Sequence, residues 1–190
     1  MENILEEKFE FIKKAVLLSN LKNPIKMAKE IMKQDFISMH GPEHHFLDGA
    51  CILASYKNAG GEIDLDLALD KLAKRAIKMP VGMCGMWGVC GAVSSVGASI
   101  SIINNTNSAS ENEGYKENML YTSLASKKMS EIGSPRCCKR HAYIALETAI
   151  DFIKEYYKVE MEKEEISCDF YDKNPQCIKE RCPYYKKKKD

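Results

Sequence analysis

The 190-residue sequence lacks a long hydrophobic run, a large net charge and the common nucleotide-binding and hydrolase motifs. Its longest weakly polar run, residues 89–103, is too short to cross a bilayer and is interrupted by Ser and Gly. A formal net charge of +1 does not favour binding to nucleic acid or to a membrane surface. The absence of a P-loop, a dinucleotide fingerprint, an HExxH motif and a hydrolase elbow removes the enzyme classes that those motifs define.

A secretory leader is also missing from the sequence as given, because residues 1–10 (MENILEEKFE) are acidic and amphipathic. We therefore expect a soluble, cytoplasmic protein, with the basic run at residues 186–189 as a solvated tail. The cytosol keeps thiols reduced, so the eight cysteines need an explanation other than disulfides. Only Cys51 lies in the first 80 residues, and the other seven cysteines form groups beside Gly or Pro, which favours metal or thiol chemistry.

Apolar residues at helical spacing predict an all-α fold, a single bundle of about six or seven helices with an irregular Cys-rich C-terminal appendage. Helix starts are indicated by Asn23-Pro24, by Asp64 and by Ser134-Pro135. We divide the chain into a helical domain, residues 1–158, and a metal-binding tail packed on it, residues 159–190. The predicted helices cover residues 2–18, 24–33, 42–59, 65–78, 91–103, 117–132 and 135–157.

The first candidate site is the sequence HGPEHH at residues 40–45. If Pro42 is the first helical residue, His44 lies in the first turn, and Asp48 one turn later can orient its ring as carboxylates do for metal-bound histidines. His40 approaches the same point from the preceding loop, so His40 and His44 are candidate metal ligands and His44 is also a candidate acid or base. The alternative is a capped helix start whose histidines are hydrogen-bonded or solvated.

The second candidate is the glycine-rich segment GMCGMWGVCG at residues 82–91, which we predict to be a close-packed loop up to residue 90. Glycine at every third position lets backbone N–H groups approach a sulfur atom or an anion. Cys84 and Cys90 are therefore candidate metal ligands, and Gly85, Gly88 and Trp87 are candidate cofactor-binding residues. The alternative is a glycine-rich helix-packing seam with inert buried cysteines.

The third candidate is GSPRCCKRH at residues 133–141. A helix starting at Ser134-Pro135 places Cys137 and Cys138 in its first turn, where the helix dipole and neighbouring cations favour the thiolate. We predict a pKa well below about 8.5 for at least one of the two thiols. One cysteine then serves as ligand or nucleophile beside His141, and the other packs. The alternative is that both behave as small hydrophobes.

The fourth candidate is the C-terminal set Cys168, Cys177 and Cys182. Three cysteines in a short polar segment resemble a ligand set for zinc or an iron–sulfur cluster, with a fourth ligand from elsewhere. Free or redox-active thiols are the alternative.

Four of these motifs together resemble an uncharacterised domain of anaerobic bacteria and archaea over residues 35–185. The motifs are HGPEHH, CGMWGVCGA, GSPRCCKR and NPQCIKERCPYY. The resemblance implies a domain that occurs alone or beside radical-SAM or methyltransferase-like modules, and it carries no established reaction. Residues 88–103 are also similar to the helical C-GCAxxG-C-C redox family.

We expect the predicted helix starts at Pro42 and Pro135 to converge with the glycine loop on one pocket. The preferred function is a metal-dependent redox or sulfur-handling protein of anaerobic metabolism, with an iron–sulfur cluster as cofactor and zinc as the alternative. In this hypothesis Cys84, Cys90 and one cysteine of the 137–138 pair bind the cofactor, while the tail cysteines hold the same metal or a second one.

Proton transfer in this hypothesis falls to His44 or His141. Two other functions stay open, and they leave undecided whether the protein is an enzyme. One is a zinc-stabilised module that docks a partner such as a radical-SAM or methyltransferase-like enzyme. The other is a metal-free thiol enzyme with Cys137 or Cys138 as nucleophile and His141 as base.

Overall fold

The computed structural model describes residues 2–185, so the basic run at residues 186–189 and the end of the predicted tail lie outside the described part. Between residues 2 and 185 the chain forms helices and irregular segments without a strand, which confirms the all-α prediction. The eight α-helices are α1 Glu2–Leu18, α2 Pro24–Met32, α3 His44–Asn58, α4 Leu65–Ala76, α5 Met83–Met86, α6 Gly91–Ile103, α7 Glu113–Ile132 and α8 Cys138–Tyr157. The additional helix is α5, a single turn within the predicted glycine loop.

Local capping explains where several helices begin. The Asn23 side chain accepts hydrogen bonds from the N–H groups of Ile25 and Lys26, both at 3.0 Å, and Pro24 follows as the first residue of α2. Asp64 likewise accepts from the N–H of Leu67 at 3.1 Å and starts α4. These caps lie where the sequence predicts them, because capping depends only on neighbouring residues.

Helix α3 lies at the centre of the bundle and contacts α1, α2, α4, α6 and α8. Its residues 44–56 are all buried. Gly49 allows α6 to cross α3 closely, because a Cβ atom at this position would lie 2.6 Å from the Ser95 carbonyl oxygen. The Gly49 N–H donates to the Ser95 hydroxyl at 2.9 Å and fixes the crossing. The result is a rigid platform whose N-terminal end carries His44 and His45.

Helix α8 begins three residues later than predicted. Cys137 is its N-cap, with a thiol that accepts from the N–H of Arg140 at 3.5 Å, whereas the predicted cap Ser134 lies in the preceding loop. The Arg140 guanidinium donates to the carbonyl oxygens of Gly133 and Pro135, at 3.0 and 2.6 Å. These hydrogen bonds give the two loop carbonyl groups a partner although the loop is not helical. The prediction of Ser134 as the N-cap was therefore wrong.

The tail turns back at Lys158, which has a φ of +57°, and packs along α2 and α8. In the tail, the backbone N–H of Glu162 donates to the Lys22 carbonyl at 3.0 Å. The Lys29 side chain of α2 donates to the Ser167 carbonyl of the tail at 2.9 Å. Met161, Phe170 and Tyr184 join the hydrophobic core of the helices. This return path brings the tail cysteines to the N-terminal end of α8.

Candidate functional site

Three helix N-termini and the glycine loop meet at one end of the bundle. A cavity of about 100 Å³ is lined there by all four histidines and three cysteines: His40, His44, His45, His141, Cys84, Cys90 and Cys138. The predicted convergence on one pocket is therefore confirmed, although the two helices begin at His44 and Cys138 and not at Pro42 and Pro135 as predicted.

A second, more open cavity of about 360 Å³ adjoins the first. Both cavities are lined by Cys84, Cys90, Arg136 and His141, and we call the combined space the thiol–imidazole cleft. The outer part is lined by glycines of the loop and by hydroxyl groups of α7, including Ser130. The cleft therefore brings thiols, imidazoles and the positive charge of Arg136 together in one space.

The closest reactive pair in the cleft is Cys90 and His141, whose Sγ and Nδ1 atoms are 3.2 Å apart. Burial raises the pKa of the Cys90 thiol to about 12 and lowers the pKa of His141 to about 4. In the metal-free protein the pair is thus a neutral thiol beside a neutral imidazole. The sequence expectation paired His141 with Cys137 or Cys138, but the partner comes from the N-cap of α6.

The adjacent cysteines 137 and 138 serve different cavities. Cys138 lines the thiol–imidazole cleft, whereas Cys137 lines a separate cavity among the tail cysteines. Burial raises the pKa of Cys138 to about 11 despite its place in the first turn of α8. The expectation of a lowered pKa was wrong for this thiol, since loss of solvation outweighs the helix dipole.

The tail cysteines gather in what we call the four-cysteine pocket. A cavity of about 20 Å³ is lined by Cys137, Cys168, Cys177 and Cys182. Burial raises the pKa of Cys168 to about 11 and also raises the pKa of Cys182. Negative charge on the sulfur atoms of the other three cysteines also raises the pKa of Cys168, because the four groups lie close together.

His40 connects the two regions instead of pointing a free nitrogen into the cleft. Its Nε2 lies 3.3 Å from Oδ1 of Asn174, and its Nδ1 accepts from the N–H of Cys138 at 3.5 Å. Asn174 also donates from Nδ2 to the Cys137 sulfur at 3.6 Å. Since both ring nitrogens have partners, His40 fits a positioning role better than its predicted role as a metal ligand.

His44 lies between a buried acid and a buried amine. Its Nδ1 is 3.7 Å from Asp48 and its Nε2 is 3.2 Å from the Lys139 Nζ. Asp48 is fully buried and Lys139 is 1% exposed, and burial lowers the pKa of Lys139 to about 8. The sequence indicated the His44–Asp48 spacing, but nothing in the local sequence indicated that Lys139 is buried while the nearby Arg136 is exposed.

Other predicted site residues lie apart from the cleft or lack a ligand arrangement. The Trp87 side chain is 63% exposed and lines neither cavity of the cleft, so it forms no wall there. Gly85 and Gly88 do line the outer cavity. No group of three or more His, Cys, Asp or Glu side chains within residues 2–185 is already arranged to hold a metal ion.

The fold and the site define an all-helical protein with two neighbouring thiol-lined cavities, and no helix between residues 2 and 185 is long and apolar enough to span a membrane. Residues 12–185 match a family of unknown function (DUF5714), and the chain belongs to that family. No curated protein and no solved structure matches the chain. The family confirms the expected membership of an uncharacterised family, while the neighbouring modules and the docking role stay predictions.

Proposed function

We propose that the thiol–imidazole cleft binds a metal cofactor, an iron–sulfur cluster by preference, and that the protein uses it in redox or sulfur-handling chemistry. The observation that carries this proposal is the 3.2 Å contact between Cys90 Sγ and His141 Nδ1 in a cavity that Cys84 and Cys138 also line. Three thiols and one imidazole are ligand types that both zinc and iron–sulfur clusters accept.

The spacing of the Cys90–His141 pair is close to that of two ligands of one metal. Metal–ligand distances of about 2.3 Å for sulfur and 2.0–2.1 Å for nitrogen place tetrahedral partners roughly 3.6 Å apart. The observed pair has to open by only a few tenths of an ångström. Cys84 lies in the single turn α5, between Gly82 and Gly88, whose positive φ values glycine accommodates without strain.

The size of the cleft favours a cofactor larger than one ion. A water-sized probe needs roughly 10–15 Å³, whereas the inner cavity measures about 100 Å³ and opens into a further 360 Å³. Arg136 lines both parts and adds a positive charge that suits a thiolate-ligated cluster or an anionic substrate.

His44 is the proton carrier of this proposal. It lines the inner cavity and is connected on one side to Lys139 and on the other to Asp48. An imidazole between an amine and a carboxyl group can pass a proton at the edge of the cleft without leaving its place. His141 is assigned to the cofactor instead, because its Nδ1 faces Cys90.

Anaerobic purification followed by iron, sulfide and zinc analysis and an absorption spectrum tests the proposal. We expect a brown protein that loses iron and colour in Cys90→Ser and in His141→Ala. Cys51→Ala is the matched control, because Cys51 is a buried core cysteine of α3 outside both cavities. A colourless, iron-free wild type, or full iron content in folded Cys90→Ser, contradicts the proposal.

A metal-free thiol enzyme is the second candidate, because the same Cys90–His141 contact places a base beside a nucleophile. Alkylation of the metal-free protein separates the two functions. The second candidate requires Cys90 to be the fastest-labelled cysteine and His141→Ala to slow its labelling. The iron–sulfur proposal instead requires Cys90 to be protected whenever the cofactor is bound.

A further inference from the structure

We propose that Cys137, Cys168, Cys177 and Cys182 bind a single tetrahedral metal ion of the zinc class, at a site separate from the cleft. These four residues line one small cavity, although they come from the N-cap of α8 and from three points of the tail. Cys137 is thereby the fourth ligand that the tail sequence leaves open. Four cysteines are a common ligand set of structural zinc.

Backbone donors surround the sulfur atoms in a repeated arrangement. The N–H two residues further along donates to Cys168 and to Cys177, from Phe170 and Lys179 respectively, at 3.4 Å in each case. Cys182 has the same relation to Tyr184, and Cys137 accepts from the residue three positions on. Such donors stabilise thiolates, which are the form that binds metal.

The cavity has the dimensions of one ion. Its volume of about 20 Å³ is close to the roughly 10–15 Å³ that one water needs, and it is too small for a cluster of several iron and sulfur atoms. Aromatic rings, among them Tyr143 and Tyr184, line it. A site in which four protein ligands fill every position around the ion is typical of structural zinc.

A buried cation next to the pocket can balance the negative charge of a zinc ion bound by four thiolates. Arg140 lines the cavity and is 3% exposed, and its Nε has no hydrogen-bond partner among residues 2–185. A zinc ion with four thiolates carries a formal charge of about −2, which complements this guanidinium. One Zn²⁺ bound by four thiols releases their protons to solvent, so charge and atoms balance without an oxidant or reductant.

The tail needs an anchor of this kind because it has little regular structure. Between residues 158 and 185 the only helical element is one 3₁₀ turn, Lys179–Arg181. The four sulfur atoms are not arranged as metal ligands in the described part of the chain, so the tail has to rearrange around the ion. Asn174 contacts both Cys137 and His40, and His40 accepts from the N–H of Cys138, so hydrogen bonds connect the pocket to the Cys138 side of the cleft.

Zinc and cobalt(II) binding to the full chain test this inference. Metal-free protein titrated with cobalt(II) is expected to show the charge-transfer and visible bands of a tetrahedral thiolate site, and zinc is expected to displace the cobalt at one ion per chain. Cys177→Ser and Cys182→Ser are expected to lose this ion and to make the tail sensitive to protease. Cys177 is partly exposed, so its substitution leaves the helical core intact.

The control variants Cys84→Ser and Cys90→Ser are expected to keep the zinc ion, because neither residue lines the four-cysteine pocket. Failure of the iron–sulfur proposal would therefore not affect this result. Full zinc content and unchanged protease resistance in both Cys177→Ser and Cys182→Ser would overturn the inference. Absence of tetrahedral cobalt bands in folded wild-type protein would overturn it as well.

Discussion

The thiol–imidazole cleft and the four-cysteine pocket contain similar ligand types in opposite settings. The cleft is the larger space, is lined by glycines and is bordered by Arg136, whereas the pocket is small and is lined by aromatic rings. Reactive metal sites keep an open position, and structural sites fill every position with protein ligands. The difference in size supports the two proposals, chemistry in the cleft and stabilisation of the tail at the pocket.

The two sites are joined through consecutive residues of one chain. Cys137 lines the pocket and Cys138 lines the cleft, because the N-cap and the first residue of α8 direct their side chains differently. Lys139 follows them and is buried between His44 and the ring of Phe170, whose centroid is 5.0 Å from Nζ. A substitution at Cys137 therefore alters the lining of the pocket, and one at Cys138 alters the lining of the cleft.

The largest expected effect concerns the buried charges between the sites. Lys139→Met removes the buried amine that contacts His44 and whose charge is stabilised by Asp48, and breaking a buried charge arrangement costs roughly 3–5 kcal/mol of unfolding free energy. Urea denaturation at pH 7 measures the loss. Adding Asp48→Asn in the same chain is expected to recover part of it, because the uncompensated charge is then removed.

Lys116→Met is the matched control, since Lys116 is exposed and pairs with Glu113 on the surface of α7. We expect its effect to be within about 0.5 kcal/mol. If Lys139→Met also changes stability by less than 1 kcal/mol, the buried charge arrangement does not join the sites as described.

A smaller effect is expected from Gly91→Ala, which alters the cleft alone. A Cβ atom at position 91 would lie 2.2 Å from Cδ2 of His45, so the imidazole has to move. Overpacking of this kind costs about 1–3 kcal/mol. Thermal unfolding together with metal analysis is expected to show lower stability and less iron in the cleft, with the zinc of the pocket retained.

Gly85→Ala is the corresponding control, because no atom lies within 4 Å of the added Cβ. It is expected to be close to neutral in stability and in metal content. Equal losses of iron and zinc in Gly91→Ala would mean that the cleft and the pocket are not separate sites.

The smallest effect is expected at the turn in front of the cleft. Burial tends to raise the pKa of Glu43, but hydrogen bonds from the backbone and the charge of Lys8, 3.5 Å away, lower it overall. A carboxyl group with a lowered pKa stabilises the fold above its unfolded-state pKa and loses this contribution as pH falls through its folded-state pKa. Glu43→Gln is thus expected to cost about 1 kcal/mol at pH 7.

That cost should shrink as pH falls below about 4.5, since the wild-type carboxyl group is then protonated. Unfolding free energies at a series of pH values check this. A difference between wild type and Glu43→Gln that grows toward acid pH would contradict the assigned sign.

Local chemistry explains what the sequence predicts well. Caps such as Asn23 and Asp64 depend on neighbouring residues, and α6 begins and ends where the pattern indicates. The start of α8 was placed wrongly at Ser134, because its true cap depends on Arg140 folding back on the loop. Cap patterns do not contain that contact.

The candidate site could be predicted only as a set of residue types. The cysteines and histidines were identified, but which thiol faces which cavity depends on helix packing and on the return path of the tail. Cys90 meets His141 because α6 and α8 pack together, and Cys137 joins Cys168 because the tail runs back along α2 and α8. The exposed Trp87 shows the converse, since an aromatic residue between two cysteines need not line their cavity.

The most direct test of the two-site account compares Cys137→Ser with Cys138→Ser in metal content per chain. Neighbouring residues receive the same substitution, so a difference between the variants reports the cavity that each side chain lines. If the cleft and the pocket are separate metal sites, Cys137→Ser loses zinc and retains most of the iron, while Cys138→Ser loses iron and retains zinc. Loss of both metals to the same extent in both variants, or of neither metal in either, would contradict it.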